Sequence, residues 1–509
     1  MGKDKTGRIF RLVAATVMAL AFSLPVWAAP EGNSQAPELT GSMSVSLSTG
    51  QAAGALTDDN VSTYVNLPGN SSITISHVDG IRNLYILWNK IPGSWTYTIN
   101  GVSYEAGADG FLHEYVQLPE TTAEISIDIP EGGAALTDIH CFGEGAVPEW
   151  VQIWEPSCDR ADILLLSTHA DDEHLFFAGI LPYYAGERGG EVQVVYMTNH
   201  WDTVSRPHEQ LNGLWTVGVR NYPIVGPFPD DAASLGSKRE SVETVLQRAL
   251  RVYDEEALTE FQVEMIRRFQ PQVVIGHDEA GEYRHGAHIV NTYTLKKALE
   301  MSGDGTYYPD LAEKYGTWDV PKTYLHLYGE NQIVMDWDIP LESFGGLTAF
   351  EVSKLGYGCH LSQQWTWFTR WVDRDKAAHI DTYSPCHYGL YRSTIGEDIG
   401  KKDFLENIIT YREQAEILAR EEAERIAAQE AELIAAEASA KTEEAEKVAR
   451  DGAEQSELQE RENADTSGPD PAGSAFNMHV FAAVAVIGAI CLCVLLLLWH
   501  RKRRERSRR

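Results

Sequence analysis

The chain is poor in cysteine and in basic residues. Only six of its 509 residues are cysteine, and none of them has the spacing of a sulfur-ligated metal site. Lys and Arg number 42 against 74 Asp and Glu, which gives a formal net charge of −32. So acidic a body argues against binding nucleic acid or anionic lipid through its surface. No internal repeat of the solenoid kind is visible, so we expect two or three ordinary globular units.

The cysteines fall into two groups. Cys491 and Cys493 lie in a long apolar run near the end of the chain, and four precede it: Cys141, Cys158, Cys359 and Cys386. In an oxidising compartment these four allow three disulfide connectivities. Pairing Cys141 with Cys158 and Cys359 with Cys386 is the most local of the three in sequence.

The two ends of the chain predict a membrane protein. Residues 1–28 have the basic start, apolar stretch and small residues of a secretory signal peptide, with an uncleaved anchor as the alternative. Residues 478–499 are apolar and long enough to span a bilayer as a helix. The basic tail at 500–509 would stay in the cytoplasm, because positive residues flank spans on that side. We therefore expect a single-pass protein of the cell membrane with an extracellular body.

Between these ends the composition changes three times. Residues 41–146 alternate in the manner of short antiparallel strands and predict a β-sandwich. In residues 147–400, strand and helix patterns alternate, which predicts an α/β, Rossmann-like domain with a mostly parallel sheet. Residues 403–462 predict a long charged helix, either solvated and single or weakly coiled-coil, as a stalk before a linker at 463–477. The expected fold class is multidomain, with one transmembrane helix.

Metal-binding residue types follow the first buried strand of the α/β region. The apolar run Ile163–Leu166 leads into the segment Thr168-His169-Ala170-Asp171-Asp172-Glu173. Imidazole and carboxylate are ligands that zinc accepts, and His169 and Asp172 are close enough in sequence to converge on one ion. Asp171 then lies beside the ion without being needed as a ligand. That is the position of a general base for an attacking water.

A second motif follows another apolar strand, Val273–Ile275. It reads Gly281-Glu282-Tyr283-Arg284-His285-Gly286-Ala287-His288 and opens a predicted helix. Two histidines three positions apart at a helix start point the same way, so one can bind the metal while the other faces the substrate. Both motifs lie at the carboxyl ends of predicted parallel strands, where open α/β sheets bind ligands.

These motifs resemble the PIG-L/LmbE-like family of zinc-dependent N-acetylglucosaminyl deacetylases. The family's His-Pro-Asp-Asp-Glu is matched by 169–173, with Ala170 in place of Pro, and its Tyr-x-His-x-x-His is matched by 283–288. An Arg-x-x-Glu at 206–209 and a His-x-Ser-Gln at 360–363 complete a match over about 161–364. The family's Gly-containing turn is replaced here by Thr198-Asn199-His200-Trp201.

The resemblance implies a metal site. His169, Asp172 and His288 would bind Zn²⁺. Other divalent ions stay open, because sites of two histidines and one aspartate accept several.

The resemblance also implies roles around the metal. Asp171 would be the general base, and Tyr283 would polarise the scissile carbonyl. His285 would stabilise the oxyanion or protonate the leaving amine, since amide hydrolysis requires both. Arg206 would bind the sugar or orient the base, with a simple salt bridge to Glu209 as the alternative.

An acidic loop and a Trp-rich segment suggest binding of sugar or calcium. The loop around Asp58-Asp59-Asn60 resembles that of discoidin-type, galactose-binding-like domains, which often bind glycans. Its oxygens suit Ca²⁺, although an ordinary Asp-Asn turn explains it equally well. The Trp-rich segment 364–371 is either a sugar platform or a packed edge of the domain.

Together these features predict a membrane-anchored, extracellular, metal-dependent deacetylase. Its substrate would be the N-acetyl group of an amino sugar, N-acetylglucosamine in a surface glycan being favoured. The first alternative is a catalytically inactive surface glycan-binding or adhesion protein, suggested by Ala170 and the altered 198–201 loop. A metal-assisted hydrolase of an ester or of another amide is the second.

Overall fold

The structure is a computed structural model that describes residues 34–464, and residue contacts divide the chain into two units, one ending at Leu418 and one beginning at Ala419. The first unit opens with seven antiparallel strands in the order β2-β7-β3-β6-β4-β5, with β1 paired to β3. Their bounds are β1 Ser44–Leu47, β2 Val65–Leu67, β3 Ser72–Lys90, β4 Trp95–Ile99, β5 Val102–Ala106, β6 His113–Asp128 and β7 Ala134–Phe142.

This sheet is continuous but has two halves. A register shift between Ser76 and Ile81 separates the part of β3 that pairs with β1 from the part that pairs with β7. Isoleucine, leucine and tryptophan side chains from both halves pack into one buried cluster. The layout is that of a β-sandwich, whose two layers are joined through the long strands β3 and β6.

The second sheet of this unit is mostly parallel, as the strand and helix alternation predicts. Its order is β10-β9-β8-β11-β12-β14-β13, and only β14 runs opposite to the others, so its pairings with β12 and β13 are antiparallel. The bounds are β8 Ile163–Ser167, β9 Val192–Asn199, β10 Ile224–Pro229, β11 Val273–Gly276, β12 Lys322–His326, β13 Gln332–Val334 and β14 His387–Ser393. Strands β8, β9, β11 and β12 are buried along their whole length. The central strands β8 and β11 read as apolar runs, whereas β9 and β12 also bury polar side chains such as Gln193 and Lys322.

Helices connect these strands. A four-residue helix, Asp172–Leu175, follows β8 directly, and a π-helical turn covers Pro182–Glu187. Apolar clusters on the sheet include side chains of several of the helices, which hold the carboxyl ends of the strands in place. The helices are Arg206–Thr216, Val242–Ala249, Glu255–Phe269, Gly286–Met301, Pro309–Tyr315, Ala349–Gly358 and Thr366–Val372.

The long helix Tyr411–Ala464 begins later than the predicted stalk. Residues 403–410 are not helical, because Phe404 and Leu405 are buried in the core of the α/β domain. Beyond Ala419 the apolar side chains of the helix are exposed, Leu433, Ile434 and Val448 among them. Exposed apolar side chains fit both alternatives, a solvated single helix and a weak coiled coil, so the stalk's state stays a prediction.

The membrane prediction requires correction. Within residues 34–464, no helix is long and apolar enough to cross a membrane. The 54-residue helix is long enough, but Glu, Arg and Lys recur throughout it, and charges are costly in hydrocarbon. The predicted segments at 1–28, 478–499 and 500–509 lie outside the described residues, as does 465–477 of the linker. The fold class that included a transmembrane helix and the single-pass cell-membrane location are therefore not retained.

The four cysteines before the apolar run are free thiols. Cys141 lies in the core of the sandwich, whereas Cys158 packs among helix residues behind the second sheet. Neither of the two sequence-local disulfides forms: Cys141 and Cys158 pack in different clusters, and Cys359 and Cys386 are both free thiols.

Candidate metal centre and active site

The two predicted motifs meet because β8 and β11 are neighbours. These strands pair in parallel, Ile163 opposite Val273, so their carboxyl ends share one edge of the sheet. The chain leaves β8 through a turn in which Asp171 has a φ of 122°, and the short helix starts at Asp172. A positive φ is strained for a residue other than glycine, and such strain is typical of functional sites.

Three donor atoms converge at this edge. The Nδ1 atom of His169 lies 3.2 Å from Oδ2 of Asp172 and 3.1 Å from Nε2 of His288. The same two atoms of Asp172 and His288 are 3.3 Å apart. Nitrogen and oxygen ligands about 2.0–2.1 Å from a tetrahedral zinc lie roughly 3.3 Å from one another. The set therefore fits a divalent ion such as Zn²⁺.

A buried carboxylate orients His288, the histidine of the second motif in the donor set. Glu282 accepts a hydrogen bond from Nδ1 of His288 over 2.6 Å, and its two oxygens also lie 2.9 Å from Nδ1 of His277 and 2.6 Å from Nδ1 of His326. Burial alone would raise the pKa of Glu282, but the histidines around it, His277 first, hold that pKa well below its usual range. A carboxylate behind a ligating histidine fixes the tautomer that exposes Nε2 to the metal.

The site residues predicted from the sequence do not include Glu282, His277 or His326. Glu282 lies inside the second motif, so its proximity was visible, but Glu is also a common helix-start residue. His277 follows β11 and His326 ends β12, and only the adjacency of these strands brings them together.

Asp171 has the surroundings of a general base. It is 4% exposed, and its Oδ1 atom lies 3.9 Å from a guanidinium nitrogen of Arg206. Burial raises the pKa of Asp171 to about 7, with Arg206 lowering it and Asp172 raising it further. A base with a pKa near the working pH is the most effective one.

His285 and Tyr283 lie beside the donor set. The Nδ1 atom of His285 accepts a hydrogen bond from the amide of Ala287 over 3.2 Å, at the start of the helix Gly286–Met301. Its ring centroid lies 4.5 Å from that of His169 and 4.6 Å from that of His288. Tyr283 adopts a φ of 46° and contacts the rings of His285 and Trp367.

Arg206 braces the first motif. It donates a hydrogen bond to the carbonyl of Ala170 over 3.1 Å and lies 3.3 Å from Oδ2 of Asp230. Asp230 in turn lies 3.4 Å from Nε2 of His169, the ring nitrogen that is not in the donor set. Asp230 follows β10 and has no motif around it, so the sequence did not predict it as a site residue. A sugar contact by Arg206 stays a prediction.

The two departures from the family pattern compensate for one another. Ala170, unlike proline, has an amide N–H, and this donates over 3.1 Å to Nε2 of His200 in the altered 198–201 loop. His200 is buried, and its Nδ1 lies 3.5 Å from Asp230. A hydrogen bond thus holds the turn that the proline ring would otherwise stiffen.

The acidic loop of the sandwich forms an ordinary turn. The Oδ1 atom of Asp58 accepts hydrogen bonds from the amide of Asn60 and from the Thr63 hydroxyl. Such bonds define an Asx turn. Across residues 34–464, the clusters of three metal-binding side chains all lie in the α/β domain, so the turn interpretation is favoured over a calcium site.

Comparisons with known proteins match the α/β domain. Residues 164–299 match the family model PIG-L, GlcNAc-PI de-N-acetylase. The 1D-myo-inositol 2-acetamido-2-deoxy-alpha-D-glucopyranoside deacetylase 2 of Saccharopolyspora erythraea is 28% identical over 181 residues, 32% of this chain and 63% of that protein. Deacetylase 1 of the same description from Catenulispora acidiphila is 26% identical over 183 residues, 32% of this chain and 54% of that protein.

The chain thus spans less than two thirds of the length of these relatives. Among solved structures, the N,N'-diacetylchitobiose deacetylase of Pyrococcus horikoshii is similar at 15% identity and a TM-score of 0.31, over 41% of this chain and 73% of that one. The sequence match rests on the segment that holds both motifs of the donor set. Residues 164–299 therefore match a PIG-L family model, and the named relatives of this segment are deacetylases.

Proposed function

We propose that the protein is a metal-dependent N-deacetylase that hydrolyses the acetamido group of an amino sugar, N-acetylglucosamine or a close relative. The observation that carries the proposal is the convergence of His169 Nδ1, Asp172 Oδ2 and His288 Nε2 within 3.3 Å of one another. The names of the matched relatives, all acetamido-sugar deacetylases, support the substrate class.

The reaction consumes water and the amide and yields acetate and a free amine. A divalent ion held by the three donors would supply a Lewis acid that polarises the acetyl carbonyl and lowers the pKa of the attacking water. Asp171 accepts the proton of that water as the new C–O bond forms. The hydroxyl of Tyr283 donates a hydrogen bond to the developing oxyanion, and such donors usually contribute the largest share of catalysis.

The C–N bond then breaks, and the amine must take up a proton as it leaves. Asp171 can deliver that proton, since it has just accepted one from the attacking water. Nδ1 of His285 accepts a hydrogen bond from the amide of Ala287, so the neutral ring carries its proton on Nε2 and donates a hydrogen bond to the oxyanion. General acid–base steps of this kind contribute about 10²–10⁴-fold to the rate.

An aromatic cleft beside Tyr283 suits the sugar. It encloses about 650 Å³ and is lined by Tyr283, Trp367, Trp371 and Tyr383, with Lys238 and Arg370 at its margin. Volumes of this order hold drug-sized ligands, which corresponds to more than one sugar ring. Trp371 donates its indole N–H to the carbonyl of Thr382. Trp367 packs against Phe368 and Tyr283, and its exposed part, 45% of the side chain, can contact a sugar ring. The Trp-rich segment thus serves both as a packed edge and as a sugar platform.

The test is acetate release by the purified chain from a panel of N-acetylglucosamine-containing compounds, with added Zn²⁺ and with a chelator. We expect release that the chelator stops, that His288→Ala abolishes and that His379→Ala preserves. His379 is the matched control because its side chain is 57% exposed.

No release across a broad panel, despite stoichiometric bound metal, would contradict the proposal. That result would favour the catalytically inactive glycan-binding alternative. Retained glycan binding by the same preparation would then establish it.

A further inference from the structure

A second cluster of ligand-type side chains lies behind the catalytic loop. It consists of Glu173 and His174, the two residues after Asp172, and His360, which follows the helix Ala349–Gly358. All three side chains are fully buried, with an exposed fraction of 0–1%. None of them belongs to the donor set of His169, Asp172 and His288.

The polar atoms of this cluster face one another without hydrogen bonds. Oε1 of Glu173 lies 3.3 Å from Nε2 of His174 and 3.6 Å from Nε2 of His360. Among the described residues, these three atoms are buried and have no hydrogen-bond partner. Leaving buried polar atoms unpaired is unfavourable, so native proteins rarely do it.

The space between the two imidazoles is kept open by a glycine. A Cβ atom on Gly213 would lie 2.6 Å from Nε2 of His174 and 2.8 Å from Nε2 of His360. Gly213 is in the interior of the helix Arg206–Thr216, where glycine is less favourable than alanine. The glycine therefore has a local cost, and what it preserves is an opening bounded by the two nitrogens.

We infer that Glu173, His174 and His360 form a second, buried site for a divalent transition-metal ion such as Zn²⁺. Two imidazole nitrogens and one carboxylate oxygen are a donor set that such ions accept. The spacing of 3.3 and 3.6 Å from the carboxylate to the nitrogens is close to the roughly 3.3 Å between ligands of a tetrahedral ion. The site is closed to substrate, so its ion is structural.

This site would position the catalytic loop. The other oxygen of Glu173, Oε2, accepts a hydrogen bond from the amide of Asp171 over 2.9 Å. An ion on Oε1 would tie that carboxylate to the segment around His360, which is distant in sequence. Glu173 would then hold the strained backbone at Asp171 in place.

The experiment counts metal ions and does not depend on activity. The full chain is loaded with Zn²⁺ alone, freed of excess by gel filtration in metal-free buffer, and analysed by mass spectrometry for zinc per chain. Wild type should hold two ions, and both His360→Gln and Gly213→Ala should hold one. Gly213→Ala is informative because it fills the opening and removes no donor.

Two controls complete the set. His288→Ala should also hold one ion, which would show that the two sites are separate. Gly452→Ala is the matched glycine control, since a Cβ there meets nothing within 4 Å, and it should keep two ions. Circular dichroism reports folding, and if one of the two cluster variants fails to fold, the other decides.

One ion per chain in wild type would overturn the inference, whatever the activity. So would two ions in folded His360→Gln or Gly213→Ala, or the loss of both ions in His360→Gln. Failure of the proposed deacetylase reaction with two bound ions would leave this site standing.

Discussion

At the scale of single residues, Asp171 and Glu282 have separate roles around the donor set. Asp171 is adjacent to the ligands in sequence and close to Arg206, and it supplies no atom to the set. Glu282 lies behind the ligands. Of the three donor residues it contacts only His288, at Nδ1, the ring nitrogen outside the donor set. Substitution should therefore separate catalysis at the first position from metal affinity at the second.

Replacing Asp171 by asparagine should lower the rate of acetate release by about 10²–10⁴-fold, the usual contribution of a general base. Metal content should be unchanged, because no Asp171 atom belongs to the donor set. Steady-state kinetics and zinc content of the same preparation check both statements. Asp202→Asn is the control, since Asp202 is exposed in the 198–201 loop region. A rate within about threefold of wild type would remove Asp171 from the mechanism.

Replacing Glu282 by glutamine should weaken metal binding by about 10–100-fold, as loss of a carboxylate behind a ligating histidine usually does. The physical reason is that a carboxamide turns one acceptor into a donor facing a histidine N–H. Competition with a chromophoric chelator measures the affinity. Glu279→Gln is the control, because Glu279 pairs with Lys296 at the surface. Equal affinities of the two variants would show that Glu282 does not act through His288.

At the scale of elements, the strand β12 is joined to the segment before the long helix by a buried lysine. Nζ of Lys322 donates to the carbonyls of Phe404 and Glu406 over 3.0 and 2.9 Å and lies 2.6 Å from Oδ1 of Asp398. Asp398 also accepts a hydrogen bond from the hydroxyl of Tyr324. This network explains why residues 403–410 pack on the domain and do not extend the helix.

Replacing Lys322 by methionine should destabilise the fold by about 3–5 kcal/mol, because the charge of Asp398 would be left buried and unpaired. Urea unfolding followed by tryptophan fluorescence measures the change. Adding Asp398→Asn should recover part of it, and Lys314→Met, at a side chain 61% exposed, should have almost no effect. A loss below about 1 kcal/mol in the single variant would contradict the role of the lysine.

At the scale of the whole first unit, the sandwich and the α/β domain share a buried histidine pair. Nε2 of His113, in β6, lies 2.7 Å from Nδ1 of His208, and Nδ1 of His113 lies 2.8 Å from the amide oxygen of Gln152. The hydroxyl of Tyr222 adds a 2.9 Å hydrogen bond from the amide of Leu112. Burial lowers the pKa of His208 to about 4, and burial with the neighbouring His208 lowers that of His113 well below its usual value.

The pair should make stability depend on pH. A histidine whose pKa is lower in the folded state stabilises the fold at pH values above its pKa in the unfolded state, which is about 6.5. That contribution declines as the pH falls from about 6.5 towards 4, by up to about 1.4 kcal/mol per pH unit for His208.

Unfolding in urea at pH 7.5 and 5.5 checks this dependence. His208→Gln should lose less stability than wild type between the two values, whereas His379→Gln, at an exposed position, should follow wild type. Identical pH slopes for wild type and His208→Gln would show that the pair does not titrate on unfolding.

Local sequence was sufficient wherever the chemistry is local. His169, Asp171 and Asp172 fall within four residues, and His285 and His288 within four more, so their types and spacing already indicated a metal site. The parallel sheet was predictable because its central strands are fully buried and read as apolar runs between helical patterns. The β-sandwich was predictable as alternation, but not its continuous long strands, because a register shift leaves no pattern in the sequence.

Tertiary structure decided everything that depends on which strands are neighbours. Glu282 contacts His277, His288 and His326 together only because β11 lies beside β12. Glu173 lies close to His360 although 187 positions of the chain separate them. The tertiary structure also showed that a hydrogen bond joins the two departures, Ala170 and His200. The cysteines that the sequence predicted to pair are free thiols. Ligands close in sequence are visible as motifs. The contacts that orient them join distant segments, and no local periodicity encodes such contacts.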